Sequence, residues 1–197
     1  MSNAWDIVAK KESNTKVNYT KIPEGVTIIR ILDEAPIVRY THWMPNAKRT
    51  ITCIGKAKCP VCNIIAQAKA NNQTSPYSSR QMFSLNIYNY NTKQVEVLEQ
   101  GRSFFEELLI IKEDNGDVTG YDLKIRRRGM DKNTSYRLDI INAENSINIE
   151  DYANEKVKLD ELFKEMTQDE ITALILGKSE VKKLDDVPFE VEDIVLA

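Results

Sequence analysis

This 197-residue chain has one histidine and three cysteines, and all four fall within twenty-one residues, as His42, Cys53, Cys59 and Cys62. The segment reads THWMPNAKRTITCIGKAKCPVC. A tetrahedral metal site takes four N or S ligands, and a Cys-x-x-Cys knuckle supplies two thiolates from one tight backbone turn. Ten residues separate His42 from Cys53 and five separate Cys53 from Cys59, spacings that suit the ends of two adjacent strands feeding the knuckle. The donor set points to Zn²⁺, with iron–sulfur ligation as the alternative. A redox pair with Cys53 as a buried small hydrophobe fits less well. A redox Cys-x-x-Cys opens a helix within a βαβ framework, which this sequence lacks, and the pairing leaves the lone histidine unexplained. Four protein ligands close the shell, whereas a catalytic zinc keeps one position open, so the ion is expected to be structural. The deaminase signature His-x-Glu with Pro-Cys-x-x-Cys is not met by His42-Trp43-Met44 and Cys59-Pro60-Val61-Cys62.

Around this site the pattern is that of short strands. VTIIRIL, IVRYTHW and KRTITCI are β-rich runs, with Pro45-Asn46 turning between the second and third. After the knuckle, Ile64, Ile65 and Ala68 lie at helical spacing until Asn71-Asn72. RQMFSLNIYNY alternates, with Phe83, Leu85 and Ile87 on one face and Asn86, Tyr88 and Tyr90 on the other. QVEVLEQ follows across Asn91-Thr92. Ser103 and Glu106 read as a capping box for a helix whose stripe is Phe104, Phe105, Leu108, Leu109 and Ile111, ending at Asn115-Gly116. GYDLKIRRRG and SYRLDII are two further strands. Leu123 and Ile125 point one way, which gathers Lys124, Arg126 and Arg128 on the opposite face. From about Ala143 the chain turns acidic and helical. Leu159, Leu162, Phe163 and Met166 sit at helical spacing, and Thr167 with Glu170 makes a second capping box for a helix ending at Gly177.

The expected architecture is mainly β with helices, an OB-type barrel carrying a zinc subdomain at its edge. Its parts are an N-terminal arm at 1–22, a barrel core at 23–143 with the zinc subdomain at about 40–72, and an acidic helical region and tail at 144–197. No apolar run approaches the roughly 18 residues of a membrane span, and the first residues lack the apolar core of a secretory signal, so a soluble cytoplasmic protein is expected. The net charge of −3 conceals an asymmetry. Residues 1–143 hold 21 Lys or Arg against 15 Asp or Glu, while residues 144–197 hold 6 against 15. A basic body of this kind attracts polyanions.

Proteins that hold single-stranded nucleic acid combine a cationic groove with aromatic rings on which bases stack. Here Arg39, Tyr40 and Trp43 precede Lys48 and Arg49, and Lys56 and Lys58 lie inside the zinc loop. Tyr88 and Tyr90 occupy the non-core face of their strand, Lys124, Arg126 and Arg128 that of theirs, and Tyr136 and Arg137 follow on the next. The competing reading of each is an ordinary packed tyrosine or a soluble, charged sheet edge.

The order of histidine, cysteine and Cys-Pro-x-Cys opening a helix, followed by the strand–basic loop–strand unit GYDLKIRRRG…SYRLDI, resembles the helix-destabilising single-stranded DNA-binding proteins of T-even bacteriophages. The resemblance covers roughly residues 25–141. It implies an OB-fold core with a zinc subdomain held by His42, Cys53, Cys59 and Cys62, and a cleft in which the basic residues meet the DNA backbone and aromatics contact bases. It further implies a non-enzymatic role in phage replication, recombination and repair, in the cytoplasm of the host. In that family an N-terminal Lys/Arg–Ser/Thr cluster drives self-association along DNA, and here Lys10-Lys11-Glu12-Ser13-Asn14-Thr15 is a sparser version. An acidic C-terminal region there recruits replication or recombination proteins, and Leu184-Asp185-Asp186-Val187-Pro188-Phe189 resembles the acidic tip of bacterial single-strand binding proteins. Two other functions compete with this one. The first is a zinc-stabilised interaction module acting through its acidic helices. The second is a Mg²⁺-dependent nuclease, for which Asp122, Asp131 and Asp139 show no convergent spacing.

Overall fold

The computed structural model describes residues 17–129, 133–142 and 146–177. The cluster Lys10 to Thr15, Asp131 and the acidic motif at 184–189 lie outside the described residues. The alternating runs form seven antiparallel strands: β1 (Gly25–Ile31), β2 (Ile37–Met44), β3 (Arg49–Thr52), β4 (Ser79–Asn89), β5 (Gln94–Gly101), β6 (Asp122–Arg128) and β7 (Ser135–Ile141). Among the described residues four α-helices accompany them: α1 (Pro60–Ala70), α2 (Arg102–Asn115), α3 (Leu159–Leu162) and α4 (Gln168–Ile175). No helix among the described residues is long and apolar enough to cross a membrane.

β4 organises the sheet. Its first half pairs with β2 (Ile37 opposite Ser84, His42 opposite Ser79) and its last residues pair with β1 on the same edge (Ile31 opposite Ile87, Ile29 opposite Asn89). β5 runs along its other edge from Met82 to Asn89. The order is therefore β3-β2-β4-β1-β6-β7, with β5 beside β4. The expected barrel is not closed. Among the described residues no pairing joins β7 or β3 to β5, and the sheet stays open.

One face carries the main core. Ile29 and Ile31 of β1, Leu85 and Ile87 of β4, Leu123 and Ile125 of β6 alternate inward and are capped by Phe104, Phe105 and Leu108 of α2. The cap at the start of α2 differs from expectation. β5 runs directly into the helix, so Gly101 is the N-cap, no side chain caps the turn, and Glu106 pairs instead with Arg102 at 3.0 Å. Its other end falls at Asn115 with Gly116 at φ 85°, a backbone conformation that favours glycine.

The second face, which carries the non-core residues of β4, is partly covered. Residues 146–166 run across it. Asn86 takes part in a closed clamp: its side chain donates to Asp33 (2.9 Å) and the Val157 carbonyl (3.0 Å) and accepts from the Val157 N–H (2.9 Å). The expected continuous helix through Leu159, Leu162, Phe163 and Met166 stops after one turn at Leu162. Phe163 turns its ring over the Arg39 guanidinium, 3.6 Å from the ring centre, and Thr167 then caps α4 with both bonds of the expected box.

Candidate metal centre

The β2–β3 hairpin and the start of α1 bring the four residues together. His42 comes from β2, Cys53 directly follows β3, Cys59 is the N-cap of α1 and Cys62 lies in its first turn. The knuckle turn is set by Gly55 at φ 94°, whose carbonyl accepts from the N–H groups of Lys58 (3.1 Å) and Cys59 (2.9 Å). Pro60 opens the helix where a missing N–H costs nothing.

The ligand atoms all lie within 4.8 Å of one another. Cys53 Sγ is 3.5 Å from Cys62 Sγ, which is itself 3.5 Å from His42 Nε2. A tetrahedron with Zn–S near 2.3 Å and Zn–N near 2.0 Å has edges of about 3.5–3.8 Å. The four side chains are thus grouped at ligand distance, compatible with a metal ion such as zinc. His42 is oriented for this role. Its Nδ1 lies 3.0 Å from the Ser78 carbonyl oxygen, which can only accept, so Nδ1 carries the proton and Nε2 presents its lone pair to the thiols. His42 and Cys59 are fully buried.

Burial pushes the Cys53 thiol above its ordinary value, and burial with the neighbouring sulfur of Cys53 pushes Cys62 up to about 12. Without a cation these thiols keep their protons, and binding must displace them. Apparent metal affinity is therefore expected to rise steeply between about pH 6 and pH 8, a window that lies below these thiol values. A chelator-competition titration at several pH values checks this, and a pH-independent affinity would contradict it.

The polyanion candidates separate into three sets. On the β2–β3 hairpin and the knuckle, Tyr40 (49% exposed) and Trp43 (46%) project from opposite faces of β2, and Lys48, Arg49, Lys56 and Lys58 are exposed. On the far strands, Lys124, Arg126, Arg128 and Arg137 share one face. Arg126 sits opposite Arg137 in register and 3.4 Å from Asp139, which also holds Arg137 at 3.2 Å. The third set is not free. Tyr88 is buried beneath Tyr152, ring centres 4.7 Å apart. Tyr90 is half-buried and donates to Asp122 at 2.7 Å. Tyr136 turns to the core against Phe104. Arg39 is ion-paired with Glu99 as well as covered by Phe163.

Two residues escaped the sequence reading. Arg80 stands exposed on β4 opposite Thr41, and the pattern at the start of that strand gave it the right face without marking it. Arg30 alternates outward from the main core yet is buried, bonded to Asp122 Oδ1 (2.7 Å), the Thr119 carbonyl (2.9 Å) and the Ser146 hydroxyl. Burial raises the Asp122 carboxyl, but donors from Arg30, Tyr90 and Ser146 outweigh it and hold the group below the ordinary carboxylate range. A carboxylate so filled with donors is a structural acceptor.

Fold and site together define a mainly-β protein with an open antiparallel sheet and a three-cysteine, one-histidine cluster grouped at ligand distance. No protein-family model, curated protein or solved structure matches the chain.

Proposed function

We propose that this chain is a non-enzymatic single-stranded DNA-binding protein whose structural Zn²⁺ holds the β2–β3 hairpin to α1. Its role is in phage-type replication, recombination and repair. The observation that carries the reading is the pair of half-exposed rings on β2, Tyr40 on one face and Trp43 on the other, in the same hairpin and knuckle that expose Lys48, Arg49, Lys56 and Lys58, with Arg80 on the neighbouring strand. Rings at that exposure offer stacking surface to bases, and the surrounding cations neutralise phosphates without reading sequence. The basic row Lys124, Arg126, Arg128 and Arg137 gives a second stretch of phosphate contacts on the far strands. The sheet is read here as an opened OB-type barrel. Replication or recombination proteins at the acidic region and self-association along DNA belong to the same proposal. An interaction module working through its acidic helices finds less support, because α4 turns its apolar residues Ile171 and Leu174 inward.

Fluorescence anisotropy with labelled oligo-dT tests the reading. With about four phosphates neutralised, affinity is expected to fall ~50-fold for a fourfold rise in salt, from a single-strand slope of ~0.7 per contact. A flat response would overturn it. Lys124, Arg126 and Arg128 changed together to Ala should give a shallower slope with the fold intact, and an unchanged slope removes that face from the site. Single strands incubated with the protein and Mg²⁺ are expected to stay intact.

A further inference from the structure

The segment after β7 is held at its two ends by different chemistry. Its first part is fastened to the sheet: Ser146 to Arg30 and Asp122, the Ile147 N–H to Tyr90, Tyr152 against Tyr88, and Val157 in the Asn86 clamp. Its last part rests on the metal module. Ile171 and Leu174 of α4 are buried in one cluster with Met44, Ile51, Cys59 and Val61. Cys59 is itself a ligand position, Met44 lies two residues after His42, Ile51 two before Cys53, and Val61 one before Cys62. Asn46 Nδ2 donates to the Ile175 carbonyl at 3.2 Å, and Arg49 reaches Met166 Sδ at 3.4 Å.

α4 spans eight residues, too few to persist as a helix without a packing partner. Its seat is made of side chains whose backbones the ligands fix. With no ion, three sulfurs and an imidazole crowded within 4.8 Å have nothing to draw them together, and the positions of Met44, Ile51 and Val61 are no longer set.

We propose that metal occupancy at the Cys/His centre governs the docking of residues 159–177, so that metal loss lifts α4 and the Phe163 ring and uncovers Arg39 while residues 146–157 stay in place. Two states follow, one with Arg39 covered by the Phe163 ring and one with it open. Linkage makes the coupling reciprocal: whatever factor the ion contributes to docking, docking returns to metal affinity. Under the nucleic-acid reading above, the uncovered Arg39 becomes one more contact on that surface. The coupling itself is measured without any oligonucleotide, so its failure and the failure of that reading are separable.

Hydrogen exchange read by mass spectrometry on the full chain, with zinc and after chelation, tests the proposal, metal content being verified in each sample. On chelation residues 159–177 should lose protection together, while 146–157 and strands β1, β4 and β6 keep theirs. Unchanged protection in 159–177 after verified metal loss would overturn it. So would loss of protection across all segments at once, since that is global unfolding and not release of one arm. The reverse direction uses Ile171→Ala with Leu174→Ala in cobalt-loaded protein, where thiolate-to-cobalt absorption reports the site directly. Metal affinity is expected to drop on the order of tenfold with the cobalt spectrum otherwise preserved. Undiminished affinity in a variant whose 159–177 segment exchanges freely would overturn the coupling.

Discussion

Replacing Cys59 with serine is expected to abolish stoichiometric metal binding and to loosen the region around residues 40–70, the knuckle and α1 above all. Serine is close to cysteine in size, so packing at this fully buried position changes little and the loss is that of a ligand. The expected effect is large. A structural zinc site contributes on the order of 10 kcal/mol or more of apparent binding free energy, comparable with the roughly 5–15 kcal/mol that keeps a whole domain folded. The main core should survive. Ile29, Ile31, Leu85, Ile87, Leu123, Ile125 and the α2 phenylalanines form a cluster separate from the one that contains Met44, Ile51, Cys59 and Val61. Metal analysis with amide-resolved spectra measures both halves of the expectation. Full metal loading of the serine variant would refute the assigned ligand set.

The second large effect is expected at Arg30. Its side chain is 9% exposed and that of Asp122 is 1% exposed. Arg30→Ala leaves the Asp122 carboxylate buried with only the Tyr90 and Ser146 hydroxyls as donors, and losing one partner of a buried pair typically costs about 3–5 kcal/mol. Denaturant unfolding measures the cost. Replacing both residues with apolar ones of similar volume should recover most of it, because no charge then stays unpaired. Acid supplies an independent check. The folded-state pKa of Asp122 is depressed, so its contribution is complete above the unfolded value of ~3.9 and is lost as pH falls through the folded value. The parent should therefore lose stability below about pH 4 more steeply than Arg30→Ala. Parallel acid curves would rule out this source of stabilisation.

How much of this was legible beforehand depends on how local the signal is. All seven strands follow from alternation, and α1, α2 and α4 from spacing and end signals. The grouping of His42 with the three cysteines was readable because chemistry with four scarce residues leaves few arrangements. Errors appear where one segment meets another far along the chain. Tyr88 has the alternation of an outward residue, but nothing near it announces that Tyr152 will cover it. Arg30 was not singled out, because nothing beside it in the chain announces that Asp122 lies directly opposite in β6. Ser103 and Glu106 have capping-box spacing, yet the helix starts straight out of β5 and Gly101 takes the cap. Closure of the barrel depends on whether two sheet edges meet, a matter of accumulated twist that no local pattern encodes.

The hand-over along β4, where β2 is succeeded by β1 on the same edge, has a consequence for how such a molecule can vary. In the sheet, β2 and the hairpin it opens pair only with the first half of that strand, while the register of the main sheet is set by its second half and by β6. Lengthening or trimming the hairpin and its loop shifts no residue of the β1–β4–β6 ladder. The Cys/His module is in effect a graft on a shared rail, whose hairpin tip and loop can be resized while the ladder that carries it keeps its frame.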